Sequence, residues 1–325
     1  RIQTAFSEGI VKDAALNLCS AIASRESGDA RRALDLLRVA AEIAERSQMP
    51  TVTEEHIRMA AEKIEENKEV IALRSYPLHE KYGLIWIWMG NSALADHHDI
   101  FEIKNYNDPS WGINRGDAME LECNYLLMCD NLLDPTHVAW VHAGSFGQAA
   151  TKSAPLRVKK TDDGVIVHRW MLDVEPAPFY KKVVGFKGNC DRLQHYEVRY
   201  PSNALIKAIF TPAGTGGSEG KLHEDVFIMD SYNFMTPVTE SKTRYYWFQL
   251  RNIRPDDPEL SQLMTDDVQH AFEEDQNVLN EVQKGMTNKT SPHIDLPIDA
   301  GQLRFRRQLQ AMINEEVQVD KQMAQ

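Results

Sequence analysis

The sequence lacks any apolar run as long as the roughly 18 residues that suggest a membrane-spanning helix. Its first residues also lack the basic start and apolar stretch of a signal peptide. We therefore expect no membrane association and a cytoplasmic location. Positive charge is scarce too, because 36 Lys and Arg stand against 48 Asp and Glu, for a net charge of -12. Neutralising phosphates requires clustered Lys and Arg, so this balance argues against broad nucleic-acid binding.

Cysteine is sparse, and its spacing indicates neither a metal nor a disulfide framework. The cysteines form no C-x-x-C pair, which a zinc ribbon or a redox site would need. They are Cys19, Cys123, Cys129 and Cys190. We expect reduced thiols that serve mostly as packing residues.

The chain up to about residue 68 has the pattern of helices. The segments DAALNLCSAIAS and DARRALDLLRVAAEIAERS place apolar residues three and four positions apart, the spacing of amphipathic helices. Pro50 closes the second segment, and Thr51-Val52-Thr53-Glu54 offers a capping-box start for a third, TEEHIRMAAEKIEENK. This pattern predicts a small all-α segment.

From residue 71 the pattern changes to strands. The run Tyr82–Met89 is aromatic and alternating, and five later segments repeat this pattern with turn signals such as Asp162-Asp163-Gly164 between them. They are GVIVHRWML, LQHYEVRYP, ALIKAIFTP, DVFIMDSYNFM and TRYYWFQLRN. Strands joined by short turns pair antiparallel, and a long helix is predicted after Pro258. The predicted fold class is α+β, with domains at 1–70 and 71–325.

Residues 1–70 resemble the lid subdomain of AAA+ ATPases, near that of archaeal origin-recognition initiators. The matching stretches are SGDARRALDLLRVAAEIAE and VTEEHIRMAAEKIEE. The resemblance implies that Arg31 reaches nucleotide phosphates, to which a guanidinium makes a forked contact. The alternative is a solvated helix charge, because the sequence contains no G-x-x-x-x-G-K-[ST] phosphate loop. We expect no ATP hydrolysis from these residues.

A candidate metal motif, Asp134-x-x-His137-x-x-x-x-His142, lies in the stretch NYLLMCDNLLDPTHVAWVHAGSFG. A histidine pair alone is weak support, since buried histidines with hydrogen-bond partners are common. Five residues on a regular helix also separate two side chains by roughly 140°. Both imidazoles therefore reach one metal only if the helix is bulged or ends between them.

A third ligand is needed, and a carboxylate would complete the set that marks non-haem Fe(II) oxygenases. The predicted long helix offers several candidates, and their pattern alone does not choose between them. They are Asp266, Asp267, Glu273, Glu274 and Asp275.

A resemblance selects among these carboxylates. Residues 71–325 resemble the catalytic domain of Rieske-type aromatic oxygenases, near vanillate O-demethylase and dicamba monooxygenase. The matching stretches are YPLHEKYGLIWIWMG, the histidine stretch, AFEEDQNVLNEVQKGM and DLPIDAGQLRFRR. The resemblance implies that His137, His142 and Asp275 hold a mononuclear Fe(II). It also implies a helix-grip, START-like antiparallel sheet around the long helix, assembled as a homotrimer.

The same resemblance suggests roles for three further residues. Asp134 would link His137 to the Rieske centre of a neighbouring subunit, with its carboxylate accepting an imidazole N–H, or it would cap a helix start. Asn131 and Asn233 would face an aromatic substrate, or they would be structural hydrogen-bonding groups.

The two-iron cluster of the resembled family is held by C-x-H and C-x-x-H pairs. None of the four cysteines provides either pair. We therefore expect no [2Fe-2S] cluster in this chain, and electrons from a ferredoxin and reductase or from a separate Rieske component.

The predicted function is oxygenation of an aromatic compound with Fe(II) and O2, by hydroxylation or O-demethylation. One alternative is a non-catalytic helix-grip module that binds an apolar ligand, which does not require metal on His137 and His142. Another is a fragment of an origin-recognition AAA+ protein. The absent ATPase core and the acidic balance count against that last hypothesis.

Overall fold

A computed structural model describes residues 9–26, 30–70, 75–148, 154–288, 290 and 294–323. Contacts between Cα atoms divide the chain into two compact units, Arg1–His97 and His98–Gln325. The predicted boundary at residues 70 and 71 lies inside the first unit, beside residues 71–74, which are not among the described ones. That boundary stays a prediction.

The helices predicted for the first unit are confirmed. They are α1 (Asp13–Glu26), α2 (Ala30–Arg46) and α3 (Glu54–Val70). Leu36, Leu37 and Ile57 are fully buried in the core between them. At the start of α3, the backbone N–H of Thr53 donates to Nδ1 of His56 at 3.1 Å. His56 thus takes the part that Glu or Gln has in a capping box.

A hairpin of β1 (Leu78–Lys81) and β2 (Leu84–Ile87) also belongs to the first unit. Tyr82 and Gly83 form its two-residue turn, with φ of 61° and 70°. Positive φ at both positions matches the twist of paired strands. The strand predicted from Tyr82 therefore begins two positions later, and it alternates in exposure as predicted.

The second unit is an antiparallel sheet, as predicted. Within its described residues the sheet has eight strands, in the order β3-β10-β9-β8-β7-β6-β5, with β4 also pairing with β10. The strands are β3 (Gly112–Arg115), β4 (Met119–Leu121), β5 (Arg157–Lys160), β6 (Gly164–Val174), β7 (Cys190–Arg199), β8 (Asn203–Pro212), β9 (Phe227–Thr239) and β10 (Lys242–Arg251). All five strand segments predicted after residue 160 fall on β6 to β10.

Helices cover one side of this sheet and its ends. They are α4 (Tyr125–Asn131), α5 (Pro178–Val184), α6 (Pro258–Thr287) and α7 (Ala300–Met323). The predicted long helix is α6, which begins at Pro258 after Asp257 accepts a hydrogen bond from the backbone N–H of Leu260 at 2.9 Å. One stripe of α6 is buried, at intervals of three and four residues: Leu260, Met264, Val268, Ala271, Asp275 and Leu279. The fold class is α+β, with the sheet gripping α6. None of the described helices is both long and apolar enough to cross a membrane.

The pleat of the central strands decides which residues face α6. Ser231 on β9 pairs with Ile206 on β8 and with Gln249 on β10. Side chains at paired positions lie on the same face of a sheet, so these three point to the α6 side. Tyr232, one position later, points to the other face and packs against Phe101.

Candidate active site

A cavity lies between the sheet and α6. Its volume is about 80 Å³. Its wall is mainly apolar, with a few polar side chains among the apolar ones. The lining residues that matter below are Asn131, His137, His142, Phe146, Tyr180, Arg192, Tyr196, Ser231, Gln249, Phe272 and Asp275.

His137 lies just beyond the end of α4. The helix ends at Asn131, and a short 3-10 helix follows at His137–Ala139. Neither histidine therefore lies on α4, and the short 3-10 helix ends between them, so the angle expected on one regular helix does not apply. The Nδ1 atom of His137 lies 2.5 Å from the backbone carbonyl oxygen of Asp134. A carbonyl only accepts hydrogen bonds, so Nδ1 carries the proton and Nε2 presents a lone pair.

His142 follows in the next turn and is 5% exposed. Its Nδ1 atom lies 2.7 Å from Oε2 of Glu274 on α6. A carboxylate that accepts the Nδ1 proton leaves the Nε2 lone pair of His142 facing the cavity. Both histidines therefore present the same ring nitrogen.

Asp275 is the buried carboxylate on the apolar stripe of α6, and it is 2% exposed. Its Oδ1 atom accepts a hydrogen bond from Nδ2 of Asn131 at 2.9 Å. That bond leaves the carboxylate in a fixed orientation toward the two histidines.

The three side chains converge on one point. Oδ1 of Asp275 lies 3.5 Å from Nε2 of His137 and 3.2 Å from Nε2 of His142. One ligand-type atom from each residue lies within 4.8 Å of the others. Burial disfavours protonation of His142, but hydrogen bonds and charge from Asp275 and Glu274 outweigh it, so the pKa of His142 is raised.

The structure corrects one expected contact of Asp134. Its backbone carbonyl, not its carboxylate, accepts the imidazole N–H of His137. The carboxylate instead accepts the backbone N–H of Thr136 at 2.8 Å, a local turn of the kind that aspartate forms readily. Asp134 thus orients His137 through its main chain. Its part in electron transfer stays a prediction.

The two predicted substrate contacts differ. Asn131 lines the cavity, as expected, but its amide is bonded to Asp275. Asn233 is fully buried and does not line the cavity. Its amide donates to the carbonyl of Ser231 at 2.9 Å and accepts from the hydroxyl of Tyr245 at 2.6 Å. Asn233 therefore makes structural hydrogen bonds in this structure, and its contact with a substrate stays a prediction. Ser231, two positions earlier on the same face, is the polar side chain of β9 that reaches the cavity.

Sequence reasoning did not assign a role to Glu274, Arg192 or Tyr196. Glu274 was among the candidate carboxylates, but only the folded chain brings it to His142. Arg192 and Tyr196 share the cavity face of β7, and the two-residue alternation of that strand is a signal that could have found them.

The remaining predictions concern Arg31 and the four cysteines. Arg31 lies in α2, and its side chain is outside the described ones. The four cysteines are free thiols and buried, which confirms packing roles. Burial raises the pKa of Cys123 to about 11 and that of Cys190 to about 11.

Comparison with known proteins identifies the second unit. Residues 121–315 match the family described as the vanillate O-demethylase oxygenase C-terminal domain. The vanillate O-demethylase oxygenase subunit of Pseudomonas sp. (strain ATCC 19151) is 31% identical over 259 residues, 77% of this chain and 78% of that protein. The fold is that of an oxygenase catalytic domain. The chain belongs to the vanillate O-demethylase oxygenase family, a group of Rieske-type oxygenases.

Solved structures agree with this fold. Dicamba monooxygenase bound to 3,6-dichlorosalicylic acid has a TM-score of 0.69, with 24% identity over 75% of this chain and 71% of that chain. The same enzyme with non-haem iron and dicamba has a TM-score of 0.61, also at 24% identity, over 75% of this chain and 70% of that chain.

The first residues match a different family. Residues 1–62 match the Cdc6 AAA+ ATPase-type lid domain. An ORC1-type DNA replication protein of Cenarchaeum symbiosum (strain A) is 67% identical over 81 residues, 25% of this chain and 20% of that protein. The two resemblances seen in the sequence are thus both confirmed, and they belong to separate parts of the chain.

Proposed function

We propose that His137, His142 and Asp275 bind one mononuclear Fe(II), and that the cavity beside them holds an aromatic substrate for oxygenation. The observation that carries this proposal is the convergence of two imidazole nitrogens and one carboxylate at the wall of a mainly apolar cavity. This donor set is the one that non-haem Fe(II) oxygenases use.

The residues present fit the metal. Ligand atoms about 2.1 Å from a metal ion and at right angles to each other lie about 3 Å apart. The distances from Oδ1 of Asp275 to the two Nε2 atoms, 3.5 and 3.2 Å, are close to that separation. Each Nδ1 also has its own acceptor, so neither Nε2 needs to give up a proton when a cation binds.

The protein's own groups would prepare this site in three ways. Glu274 and the carbonyl of Asp134 hold the two imidazoles in one orientation, and Asn131 holds the carboxylate. Apolar walls such as Phe272 exclude water and accept an aromatic ring. Bound Fe(II) would supply the activation of O2 beside that ring. The reaction is hydroxylation or O-demethylation.

Electrons must reach this site from outside the 325 residues, because these residues contain no ligand set for a Rieske cluster. The donor we propose is a Rieske [2Fe-2S] centre served by a ferredoxin and a reductase, with Asp134 on the route to His137. A homotrimer, a cytoplasmic location, the lack of nucleic-acid binding and a nucleotide contact at Arg31 all remain predictions.

Iron content tests this function and separates it from a non-catalytic ligand-binding module. Protein purified without oxygen should hold about one Fe(II) per chain. His142→Ala should lose it, because two remaining protein ligands hold a labile metal too weakly. The iron-loaded protein should also oxidise a methoxybenzoate when given hydrogen peroxide, which brings both oxygen and oxidising equivalents. Mass spectrometry of the product measures this.

His223→Ala is the matched control. His223 lies beside Glu224 and Asp225 in an outer cluster that could also hold a cation. This variant should keep its iron. Full iron occupancy in folded His142→Ala protein, or iron loss confined to His223→Ala, would contradict the proposed site.

A further inference from the structure

Arg192 carries a buried positive charge at the wall of the cavity. It stands on β7, lines the same cavity as His137, His142 and Asp275, and is 2% exposed. Burying a charge is costly unless the charge is paired, so the partners of this guanidinium decide its role.

Neutral groups surround Arg192. Its Nη1 donates to the carbonyl of Phe146 at 3.2 Å and to Oε1 of Gln148 at 2.6 Å. The guanidinium carbon lies 4.9 Å from the ring centre of Tyr180 and 5.2 Å from that of Phe210. These contacts position the side chain, but none of them supplies a negative charge.

A carboxylate does not pair with Arg192 anywhere in the part of the chain that the structure describes. The neighbouring Asp191 points to the other face of the strand, where it accepts from the backbone N–H groups of Asp173 and Gly214. Residues 149–153, which follow Gln148, contain no Asp or Glu. The Nε atom of Arg192 is buried and has no acceptor within the described residues.

Arg169 shows that a buried arginine on this face can be fully occupied by the protein. It stands on β6, and its donors reach Gln194 at 2.7 Å, the carbonyl of Ala154 at 3.2 Å and the carbonyl of Pro135 at 3.0 Å. Arg169 does not line the cavity. Of these two arginines, Arg192 is the one that lines the cavity and has an unused donor. Arg251 also has unused donors but does not line the cavity, so the position of Arg192 on the cavity wall is what distinguishes it.

We infer that Arg192 anchors an anionic substituent of the substrate, a carboxylate on the aromatic ring. A guanidinium binds a carboxylate through charge-assisted, often forked hydrogen bonds, which are strongest where water is excluded. The inference rests on the proposed function for the cavity and adds a specificity-determining residue to it. It also assigns specificity to Arg192 on β7 rather than to Asn233 on β9.

Calorimetric titration of the Fe(II)-loaded protein without oxygen tests the anchor. The probes are 4-methoxybenzoate and its neutral amide, 4-methoxybenzamide, which differ in charge and little in shape. The unaltered protein should bind the acid at least about tenfold more tightly than the amide, the effect of one charge-assisted hydrogen bond. Arg192→Gln should remove that preference by weakening the acid, with the amide changed less than about threefold.

Two further variants control for charge and folding. Lys182→Gln removes one positive charge outside the cavity, where Lys182 pairs with Asp267 at 2.8 Å, and it should keep the preference. Arg192→Lys keeps the positive charge and should retain part of the preference for the acid. This variant also provides a test if Arg192→Gln does not fold. An equal affinity for acid and amide in the unaltered protein would overturn the anchor. So would a preference that survives in Arg192→Gln, since the acid would then bind elsewhere, for instance at the metal.

Iron content measured on the same samples keeps this inference apart from the proposed function. If Arg192→Gln loses the preference for the acid but keeps full iron occupancy, the result supports the anchor and shows an intact metal site. A different result would overturn the oxygenase proposal and leave the anchor standing. In that result, no sample contains iron, but the protein still prefers the acid and loses this preference in Arg192→Gln.

Discussion

The two units of this chain differ in what they bury. The core of the first unit is apolar and rich in alanine, and among its described residues His56 is the polar side chain that is buried. The second unit buries charged groups within its sheet and helices, among them Arg169, Arg192, Asp230 and Asp275. Buried charge costs stability unless it is paired or used. We therefore expect the catalytic chemistry of this protein in the second unit.

The units differ also in how far apart in sequence their contacts lie. In the first, three helices close to each other in sequence pack together. In the second, Asn131 reaches Asp275 across 144 positions, and His142 reaches Glu274 across 132. The helical unit can therefore form from local patterns, whereas the site exists only once the whole sheet and α6 have assembled.

The largest effect that would sharpen this comparison is a core truncation in the first unit. Leu37 is fully buried on α2, so Leu37→Ala should destabilise that unit by about 2–5 kcal/mol. Hydrogen exchange of the α2 amides measures the loss. Iron binding should not change, since the proposed ligands belong to the other unit.

Leu34→Ala is the control for that substitution, because Leu34 lies on the same helix and is 43% exposed. It should cost less than about 0.5 kcal/mol. Loss of iron from folded Leu37→Ala protein would break the comparison, because the first unit would then support the site.

A smaller effect is expected at Glu274, which accepts the Nδ1 proton of His142. Glu274→Gln replaces a charged acceptor with a neutral one, and it should lower Fe(II) affinity by about 10–100-fold without unfolding the protein. Competition with a chelator measures the affinity. Glu273→Gln, one position earlier and exposed, should leave it unchanged. Equal losses in the two variants would mean that general negative charge, and not the bond to His142, matters.

The smallest expected effect comes from removing the first unit altogether. A chain of residues 98–325 contains every residue named for the site, so its Fe(II) affinity should stay within about twofold of the full chain's. The same competition measures it. A much lower Fe(II) affinity in a well-folded truncated protein would show that the first unit contributes to metal binding.

Residue patterns along the chain were enough to predict most of the secondary structure and to find the histidine motif. Alternation placed β6 to β10, and three- and four-residue spacing placed α2 and α6, because each period reports which face of an element is buried. The apolar stripe of α6 also indicates which carboxylate is buried, because Asp275 lies on it between Ala271 and Leu279. The family resemblance selected Asp275, but this stripe is an independent physical reason for it.

The individual contacts of the site residues, in contrast, depend on how the elements pack in the folded chain. Asn233 and Ser231 share one face of β9, and strand period alone does not tell which of them reaches the cavity. The carbonyl rather than the carboxylate of Asp134 meets His137, because the backbone turns after α4. The pairing of Glu274 with His142, and the absence of a carboxylate at Arg192 in the described part of the chain, depend on strands and helices distant in sequence. Sequence periodicity fixes the face on which a side chain lies, whereas its partner depends on how the elements pack.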